Sequence, residues 1–496
     1  MKPTTKTIYE YLSKYAEEES NTQLFFDETK NYTVKETYNE VVALANDMYA
    51  FGVRQGSLVA LRATRSVDCS LLIFAIQAIG AVVLTCDEHC QAEEYIKESG
   101  VEIEPNFVVT NEVEGENVFV NGKWEIKNCK TQEKKRLKIS YPAREETPTF
   151  EPVSDAHALA VVIFTSGSTG KSKGVMLSQY NYINHMRNFR EVGGHLEKDS
   201  SIQLLPLHHV FGLTQIIDAV IHRCSVFFPE NIAVEYVLQC IEKYKFTRFG
   251  FVPSYALAMA DLKKAKGYDT SSLKVVVLAG APSTKEQFEY IQDTLGLKIV
   301  PVYGQSECIG ISGAGPYERD DKRASSVGKI LPMNKGYILN EKGNELPTDA
   351  EGEICVESPA IMLGYYGEDY MPLDEKGRLH TGDLGYLDEE GFLHITGRIK
   401  DIIIINGNNV SAARLENKLT SLPFIFNAAV VGVKDEKRGE APLALVVLKE
   451  GETYDEEEVK KVFNKAEMPK EIVIVKEFPL TSSGKIDKQK IKEMYQ

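Results

Sequence analysis

The sequence predicts an α/β protein whose larger part is built on buried parallel sheets. Short apolar runs such as ALAVVIFT (158–165) and LKVVVLAGA (273–281) alternate with helical patterns such as AVEYVLQCIEKY (233–244). Strands that are apolar throughout and separated by helices are typical of parallel sheets covered on both faces. After about residue 320 the apolar runs shorten and Gly-containing turns separate them, which predicts a small antiparallel barrel or sheet.

The chain of 496 residues is long enough for two or more hydrophobic cores. Beyond DIIIING (401–407) the sequence predicts a helix, two strands, an acidic helix and a final strand. Together they form a compact α+β unit of roughly a hundred residues, enough to fold alone. We therefore expect a domain boundary at 398–401, with an N-terminal domain of residues 1–398 and a C-terminal domain of residues 399–496.

Net charge, the longest apolar run and the cysteine spacing argue against a nucleic-acid-binding, a membrane-spanning and a disulfide-rich protein. The net charge of −15 arises from 57 basic and 72 acidic residues spread along the chain, so we expect no nucleic-acid partner, which would need clustered Lys and Arg. The longest apolar run, 70–86, is interrupted by Gln77 and Gly80 and predicts a buried helix leading into a strand, not a transmembrane segment. No secretory signal is visible and the eight cysteines form no CxxC pair, which favours a cytoplasmic protein without disulfides or a cysteine-based zinc site.

The stretch FTSGSTGKSKG (164–174) nearly matches the Walker phosphate loop, but Thr165 stands where that loop has its first glycine. A β-favouring run, GVMLS, follows it, and a helix is expected only after Ser178 as N-cap. The pattern therefore predicts strand–loop–strand. Hydroxyl and backbone N–H groups of such a loop can wrap phosphates, with charge from Lys171 and Lys173. The predicted phosphate ligands are Thr165, Ser166, Gly167, Ser168, Thr169, Gly170 and Lys171.

Seven further motifs follow this loop in a fixed order. They are PLHHVFG (206–212), AGAP (279–282), YGQSE (303–307), GEI (352–354), TGD (381–383), GRIKD (397–401) and SSGKID (482–487). With these motifs the chain resembles the adenylate-forming superfamily of acyl-CoA synthetases, aryl-CoA ligases, firefly-type luciferases and peptide-synthetase adenylation domains. Each string alone is weak evidence, whereas eight in order are specific.

The resemblance implies a fold and a reaction. The fold is a large N-terminal domain of two stacked α/β subdomains plus a small β-barrel, followed by a small mobile α+β domain. The reaction is attack of a small-molecule carboxylic acid on the α-phosphate of ATP, which gives an acyl-adenylate and pyrophosphate, followed by acyl transfer to the thiol of coenzyme A. Mg²⁺ and positioned cations are expected to stabilise the charge on the phosphoryl oxygens.

The resemblance also implies roles for individual residues. Glu307 resembles the Mg²⁺ ligand and Lys485 the catalytic lysine, while His209 flanks the acid. Lys400 is the implied hinge, and Gly407 leaves room for the pantetheine arm in the coenzyme A tunnel. The implied ATP or AMP contacts, among them the Ser306 hydroxyl on the α-phosphate, are Gly280, Ala281, Pro282, Tyr303, Gly304, Gln305, Ser306, Asp383 and Arg398. The implied acyl pocket comprises Val210, Phe211, Val252, Pro253, Ser254, Leu278 and Ile309.

Other interpretations stay open on the residues alone. Taken singly, Glu307 is an ordinary strand-end glutamate, Tyr303 a core tyrosine, His209 a core histidine and Lys485 a solvated lysine. The same adenylation chemistry also suits acyl transfer to the phosphopantetheine of an acyl carrier protein. A P-loop ATPase is disfavoured by Thr165, and an inactive nucleotide-binding scaffold by the joint presence of the four implied catalytic and nucleotide-binding side chains.

Overall fold

A computed structural model describes residues 2–111, 123–165, 172–190, 192–195, 199–281, 283–435, 437–449, 451–465, 467–480 and 486–495. The chain forms two compact units. The larger unit comprises Met1–Ala324, Gly328–Lys335 and Glu357–Leu373. The smaller unit comprises Ser325–Val327, Gly336–Val356 and Asp374–Gln496. Contacts thus group the small antiparallel sheet with the C-terminal segment, and the boundary at 398–401 stays a prediction about which part moves.

The elements are numbered in chain order. The helices are α1 (Ile8–Glu18), α2 (Val34–Ala50), α3 (Val67–Ala78), α4 (Ala92–Ser99), α5 (Gln179–Phe189), α6 (Val210–His222), α7 (Val234–Tyr244), α8 (Pro253–Lys266), α9 (Lys285–Leu295), α10 (Asp320–Ser325), α11 (Ala412–Thr420), α12 (Glu456–Val462) and α13 (Lys488–Tyr495), with a 3₁₀ helix at Ile399–Asp401. The strands of the first half are β1 (Gln23–Phe26), β2 (Asn31–Thr33), β3 (Leu58–Arg62), β4 (Val82–Cys86), β5 (Phe107–Asn111), β6 (Trp124–Asn128), β7 (Lys134–Leu137), β8 (Leu159–Thr165), β9 (Lys173–Ser178), β10 (Ser200–Ile202), β11 (Ser225–Phe227) and β12 (Arg248–Phe251). The remaining strands are β13 (Val275–Leu278), β14 (Lys298–Tyr303), β15 (Ser312–Gly313), β16 (Lys329–Ile330), β17 (Lys335–Leu339), β18 (Gly352–Glu357), β19 (Gly364–Tyr365), β20 (Leu379–Leu387), β21 (Leu393–Arg398), β22 (Ile402–Ile405), β23 (Asn408–Ser411), β24 (Ile425–Asp435), β25 (Gly439–Leu448) and β26 (Glu471–Ile474).

Two large sheets form the larger unit. One has the strand order β19-β9-β8-β4-β3-β5-β6-β7, and the other has the order β16-β15-β14-β13-β12-β10-β11-β1-β2. The central strands β5, β3, β4 and β8 run parallel, as do β1, β11, β10, β12, β13 and β14. The predicted parallel α/β architecture is therefore confirmed, and the antiparallel strands β6 and β7 complete one edge of the first sheet.

The predicted buried helix leading into a strand is α3 followed by β4. All 12 residues of α3 are buried, and all five residues of β4 are buried as well. The N-cap Ser66 accepts a hydrogen bond from the Cys69 N–H, which fixes where the helix begins. Within the described part of the chain, no helix combines the length and apolarity that a bilayer crossing needs.

The smaller unit contains two sheets. Strands β17, β18, β20 and β21 form an antiparallel sheet, as predicted for the region after residue 320. The second sheet has the order β23-β22-β25-β24, with β26 parallel to β25. Its apolar core gathers side chains from β22, β24, β25 and α11, with Leu415 and Leu419 fully buried. The predicted α+β unit is confirmed in its order of elements.

Candidate active site

The predicted binding residues of the larger unit follow the carboxyl ends of neighbouring parallel strands. Tyr303 ends β14, Gly280 and Ala281 follow β13, Val252 follows β12, and His209 lies beyond β10. In an open parallel sheet the carboxyl ends of all these strands meet at one edge, where loops form ligand-binding crevices. The fold therefore brings residues that lie about a hundred positions apart in the chain to a single edge.

Backbone hydrogen bonds and a close contact at Gly304 fix the conformation of the turn after β14. The Gln305 N–H donates to the Cys308 carbonyl oxygen at 2.9 Å, and the Ile311 N–H donates to the Tyr303 carbonyl oxygen at 2.8 Å. A Cβ on Gly304 would lie 2.3 Å from the Ile309 carbonyl oxygen, so the turn excludes any larger residue there. This closed turn presents Gln305, Ser306 and Glu307, all half-buried, beyond the strand.

Glu307 is held by a segment that sequence reasoning missed. The Tyr365 hydroxyl donates to Glu307 Oε1 at 2.9 Å, and the Met362 N–H donates to the Glu307 carbonyl oxygen at 2.8 Å. Tyr365 lies in β19, whose register pairs it with Val175 of β9. Burial and the Glu307 charge raise the pKa of Tyr365, so its hydroxyl stays protonated and continues to donate. The predicted metal carboxylate is thereby tied to the strand that follows the phosphate loop.

Lys173 reinforces this segment. Its Nζ lies 3.2 Å from Glu368 Oε2 and 4.1 Å from the centre of the Tyr365 ring. An ammonium over an aromatic face is attracted by the ring quadrupole, which fixes the ring beneath it. The sequence predicts that Lys173 supplies charge for phosphate binding. In the structure its ammonium contacts the ring of Tyr365, the tyrosine that contacts Glu307.

Two antiparallel strands flank the predicted phosphate loop. β8 and β9 are antiparallel, with Thr165 opposite Lys173, and α5 begins only at Gln179. Ser178 caps α5 by accepting a hydrogen bond from the Asn181 N–H, as predicted. Because a strand and not a helix follows the loop, the Walker interpretation does not apply. The described residues exclude the predicted ligands Ser166, Gly167, Ser168, Thr169, Gly170 and Lys171, and also Pro282 and Lys485.

The predicted acyl residues lie at the start of two helices. His209 is the N-cap of α6, and Val252 is the N-cap of α8 with Pro253 at its first position. Val210 and Phe211 are half-buried at the start of α6, and Ser254 is exposed. Leu278 packs into the core cluster shared by α7, α8 and α9, and Ile309 is buried.

Gln215 joins Phe211 at this site, one helical turn further along α6. A Cβ on Gly250 of β12 would lie 3.1 Å from Phe211 Cζ and 3.0 Å from Gln215 Nε2, so both side chains cover this glycine. Within the described residues, the buried Gln215 Oε1 accepts no hydrogen bond. The i, i+4 spacing from Phe211 is the sequence signal that identifies this residue.

Two buried pairs fix the loop that carries His208 and His209. The His208 Nε2 lies 3.5 Å from Asp87 Oδ2, and its ring lies 4.3 Å from that of His209. Arg65 and Glu88 form an ion pair at 2.6 Å in which both side chains are at most 4% exposed, and Arg65 also donates to the Leu204 carbonyl oxygen. Burial lowers the pKa of His208, which keeps its imidazole neutral.

Cys308, next to Glu307, is not a nucleophile candidate. It is fully buried, and burial raises the pKa of its thiol to about 12. At neutral pH the thiol therefore stays protonated, and a protonated thiol is a poor nucleophile. The residue packs as a small apolar side chain behind the turn.

In the smaller unit, Asp383 and Arg398 face each other across β20 and β21. Arg398 Nε lies 2.7 Å from Asp383 Oδ1, with the aspartate side chain 4% exposed and the arginine 47% exposed. Glu353 supports the turn before Asp383, because its carboxylate accepts from the Gly382 N–H at 3.0 Å and contacts His380 Nδ1 at 2.7 Å. Sequence reasoning assigned Asp383 and Arg398 but gave Glu353 no role.

The predicted hinge residue Lys400 and the hairpin turn that carries Gly407 follow β21 in the chain. Lys400 is exposed within the 3₁₀ helix, and loss of hydration together with the Arg398 charge lowers the pKa of its ammonium. Asn406 and Gly407 both have positive φ, 51° and 77°, between the paired residues Ile405 and Asn408. An Asn-Gly pair with these angles makes a tight two-residue hairpin turn.

Family profiles and individual relatives match this chain along most of its length. The sequence profile of the AMP-binding enzyme family matches residues 12–366, and that of the AMP-binding enzyme C-terminal domain matches residues 414–485. The chain is 31% identical to "4-coumarate--CoA ligase-like 9" of Oryza sativa over 94% of this chain and 88% of the relative. It is 30% identical to a 2-succinylbenzoate--CoA ligase of Listeria innocua over 94% of this chain and 95% of the relative.

The fold is likewise similar to solved structures. The o-succinylbenzoate coenzyme A synthetase of Bacillus subtilis, solved with ATP and a magnesium ion, superposes with a TM-score of 0.80 at 25% identity. The superposition covers 96% of this chain and 98% of that one. The profile spans well over half of the chain, and the relatives align along nearly all of it. The chain is therefore a member of the AMP-binding enzyme family of AMP-forming acid–thiol ligases.

Proposed function

We propose that this enzyme joins a carboxylic acid to coenzyme A by way of an acyl-adenylate formed from ATP. The observation that supports the proposal most directly is the fixed carboxylate of Glu307, which Tyr365 holds beside the strand that follows the phosphate loop. A carboxylate at that position suits a hard cation that bridges phosphate oxygens. The relatives named above are CoA ligases, which supports coenzyme A as the acyl acceptor.

Glu307 fits the role of a magnesium ligand on the chemistry of its donors. Mg²⁺ prefers oxygen ligands and takes one or two carboxylates with substrate phosphates, and the Tyr365 hydroxyl keeps this carboxylate in one orientation. A bound Mg²⁺ would neutralise charge that develops on phosphoryl oxygens. In this proposal Tyr303 stacks on adenine, and the exposed Gly280 and Ala281 supply backbone contacts on its other side.

The smaller unit is proposed to hold the ribose and to supply the catalytic cation. Asp383 accepts hydrogen bonds from both ribose hydroxyls. To do so, it must break its ion pair with Arg398 or share the carboxylate between Arg398 and the ribose. Lys485 neutralises the α-phosphate and the attacking carboxylate during adenylation. Rotation at Lys400 then removes Lys485 and brings the Asn406–Gly407 turn to the thiol. A Cβ added to Gly407 would meet no atom of the described residues within 4 Å, which leaves room for the pantetheine arm.

The acid is proposed to be one with an apolar body and a single polar group at its far end. Phe211 supplies apolar surface above Gly250, and Gln215 presents an amide whose buried oxygen calls for a hydrogen-bond donor. Aryl acids bearing a hydroxyl or a second carboxyl group meet this description, and the relatives are named for acids of that kind. His209, the N-cap of α6, flanks the carboxylate being activated.

The test is acid-dependent exchange of labelled pyrophosphate into ATP over a panel of hydroxylated aryl acids, succinylbenzoate and fatty acids. We expect exchange with at least one aryl acid, and CoA-dependent discharge of the resulting adenylate. Discharge by a holo-carrier protein and not by coenzyme A would assign a different acceptor. Acid-independent hydrolysis to ADP, without any exchange, would contradict adenylation altogether.

A further inference from the structure

A second cluster of metal-binding side chains lies at the opposite edge of the large sheet from the candidate active site. His195 precedes β10, Asp218 and His222 lie one turn apart on α6, and Cys224 immediately precedes β11. β10 and β11 are parallel neighbours, so these residues meet at the amino ends of the strands. None of them takes part in the proposed reaction.

The potential ligand atoms of the cluster converge on one point. Asp218 Oδ1 lies 3.0 Å from His195 Nε2 and 2.5 Å from His222 Nδ1. The ligand atoms of the three residues all lie within 4.8 Å of one another. The Cys224 Sγ lies 3.8 Å from Asp218 Oδ2, the other oxygen of the same carboxylate. Ligands of a tetrahedral ion at a radius of about 2.0–2.3 Å lie roughly 3.3–3.8 Å apart, so a bound ion would lengthen the two contacts of Asp218 Oδ1 to the imidazoles by roughly 0.3–1 Å.

The cluster is closed to solvent and electrostatically suited to a cation. The side chains of His195 and His222 are 4% exposed and that of Asp218 is 12% exposed, while Cys224 is 2% exposed. Two arginines near the cluster are each paired with a carboxylate, which offsets their charge: Arg248 with Asp199 at 3.2 Å, and Arg223 with Glu19. The fold therefore concentrates imidazole, carboxylate and thiol donors in a small buried space.

We propose that His195, Asp218 and His222, completed by Cys224, form a structural site for a borderline divalent cation of the zinc class. Two imidazoles, one carboxylate and one thiolate make a four-ligand set of the kind that closes structural zinc sites. The same set is poor for Mg²⁺ and Ca²⁺, which take oxygen ligands. Such an ion ties the segment before β10 to the end of α6 and the start of β11, and it plays no part in adenylation.

The competing arrangement contains no ion, and both histidines donate hydrogen bonds to the aspartate. It differs from the proposal in metal content, which is measurable on the intact protein. We expect one zinc per chain by elemental analysis after purification, or after chelator treatment followed by zinc. Competition with a chromophoric chelator is expected to give a Kd of about 1 µM or tighter. Chelation is expected to lower the Tm, and zinc but not magnesium is expected to restore it.

The variants His222→Ala and Asp218→Asn separate the two arrangements. Each is expected to weaken zinc binding by more than the about 10- to 100-fold that outer-shell changes cost. Asp218→Asn keeps the size of the side chain and one accepting oxygen but removes the charge, so it reports on ligation if His222→Ala fails to fold. His157→Ala, at an exposed histidine, is the matched control and is expected to keep full zinc content.

Three results would overturn the proposal. One is wild-type protein that binds no zinc at a free concentration of about 10 µM. Another is full zinc content in Asp218→Asn or His222→Ala. The third is a cobalt-loaded protein without the thiolate charge-transfer band, or with a band that persists in Cys224→Ser, because either result would exclude the sulfur ligand.

Discussion

The two units hold the carboxylates that are proposed to contact the nucleotide in different ways. In the larger unit, Glu307 is fixed by an uncharged donor, Tyr365, and the turn that carries it is closed by Gly304 against the Ile309 carbonyl. In the smaller unit, Asp383 is fixed by a charged partner, Arg398. The first carboxylate is held by a hydroxyl hydrogen bond, whereas the second forms an ion pair with an arginine.

In the proposed function, Glu307 binds a cation without losing its hydrogen bond to Tyr365, whereas Asp383 must exchange or share its arginine partner to bind the ribose. A carboxylate held by a neutral hydroxyl can bind a cation without giving up an ion pair. A carboxylate paired with arginine must share or surrender that pair when sugar hydroxyls approach, and the half-exposed Arg398 has room to move. We therefore expect substitutions in the larger unit to alter metal dependence, and substitutions in the smaller unit to alter nucleotide affinity or the balance between half-reactions.

Replacement of Lys485 by alanine is expected to have the largest effect. Because this lysine is proposed to act only in the first step, adenylation should fall by about 10²- to 10³-fold while thioester formation from supplied acyl-adenylate is retained. Pyrophosphate exchange and CoA-dependent discharge measure the two steps separately. Lys490→Ala, at an exposed lysine of α13, is the control. Equal losses in both half-reactions would show that the lysine is misassigned.

Glu307→Gln tests the preformed site. The amide keeps the shape of the side chain but loses the charge that a hard cation requires, so we expect adenylation to fall by about 100-fold at saturating substrates. The Mg²⁺ concentration for half-maximal exchange should rise in parallel. Glu318→Gln, at a partly exposed glutamate of the same unit, should behave as wild type. An unchanged magnesium dependence would remove Glu307 from the metal site.

Asp383→Asn tests the exchangeable pair. Hydrogen bonds to a charged acceptor contribute about 1.5–3 kcal/mol, so the KM for ATP is expected to rise by roughly 10- to 100-fold with a smaller change in kcat. Steady-state kinetics with the acid held saturating provide the measurement. A loss confined to kcat would place Asp383 in the chemical step and would contradict its role in holding the ribose.

Tyr365→Phe isolates the contribution of preorganisation. Removal of the hydroxyl leaves Glu307 in place but frees its orientation, so we expect the Mg²⁺ requirement to rise about tenfold and to be overcome by excess Mg²⁺. A purely structural role would lower the Tm without shifting the magnesium dependence. Tyr370→Phe, at an exposed tyrosine further from Lys173, is the matched control.

Lys400→Pro is expected to have the smallest effect and a selective one. A fixed φ at the hinge should slow the second half-reaction about fivefold, equivalent to roughly 1 kcal/mol of barrier, while pyrophosphate exchange is retained. Single-turnover transfer from preformed acyl-adenylate to coenzyme A measures this step. Normal transfer in the variant would count against rotation about Lys400.

The architecture and most of the local structure follow from patterns in the amino-acid sequence. Apolar runs without alternation identified the parallel strands, and Thr165 with the β-favouring run before Ser178 identified the strand–loop–strand around the phosphate loop. These features depend on near neighbours in the chain, such as propensity, capping and turn residues. The order of the short motifs identified the family.

The side chains that contact the predicted site residues, by contrast, are identified from the three-dimensional packing of the chain. Tyr365 reaches Glu307 because β19 pairs with β9, and Asp87 reaches His208 from the loop after β4. Gln215 reaches Gly250 because α6 packs over β12. The His195, Asp218 and His222 cluster likewise forms only when the segment before β10 meets α6. Apart from the Asp218–His222 pair within α6, these contacts join residues distant in the chain through sheet register and helix packing, which local patterns in the sequence do not specify.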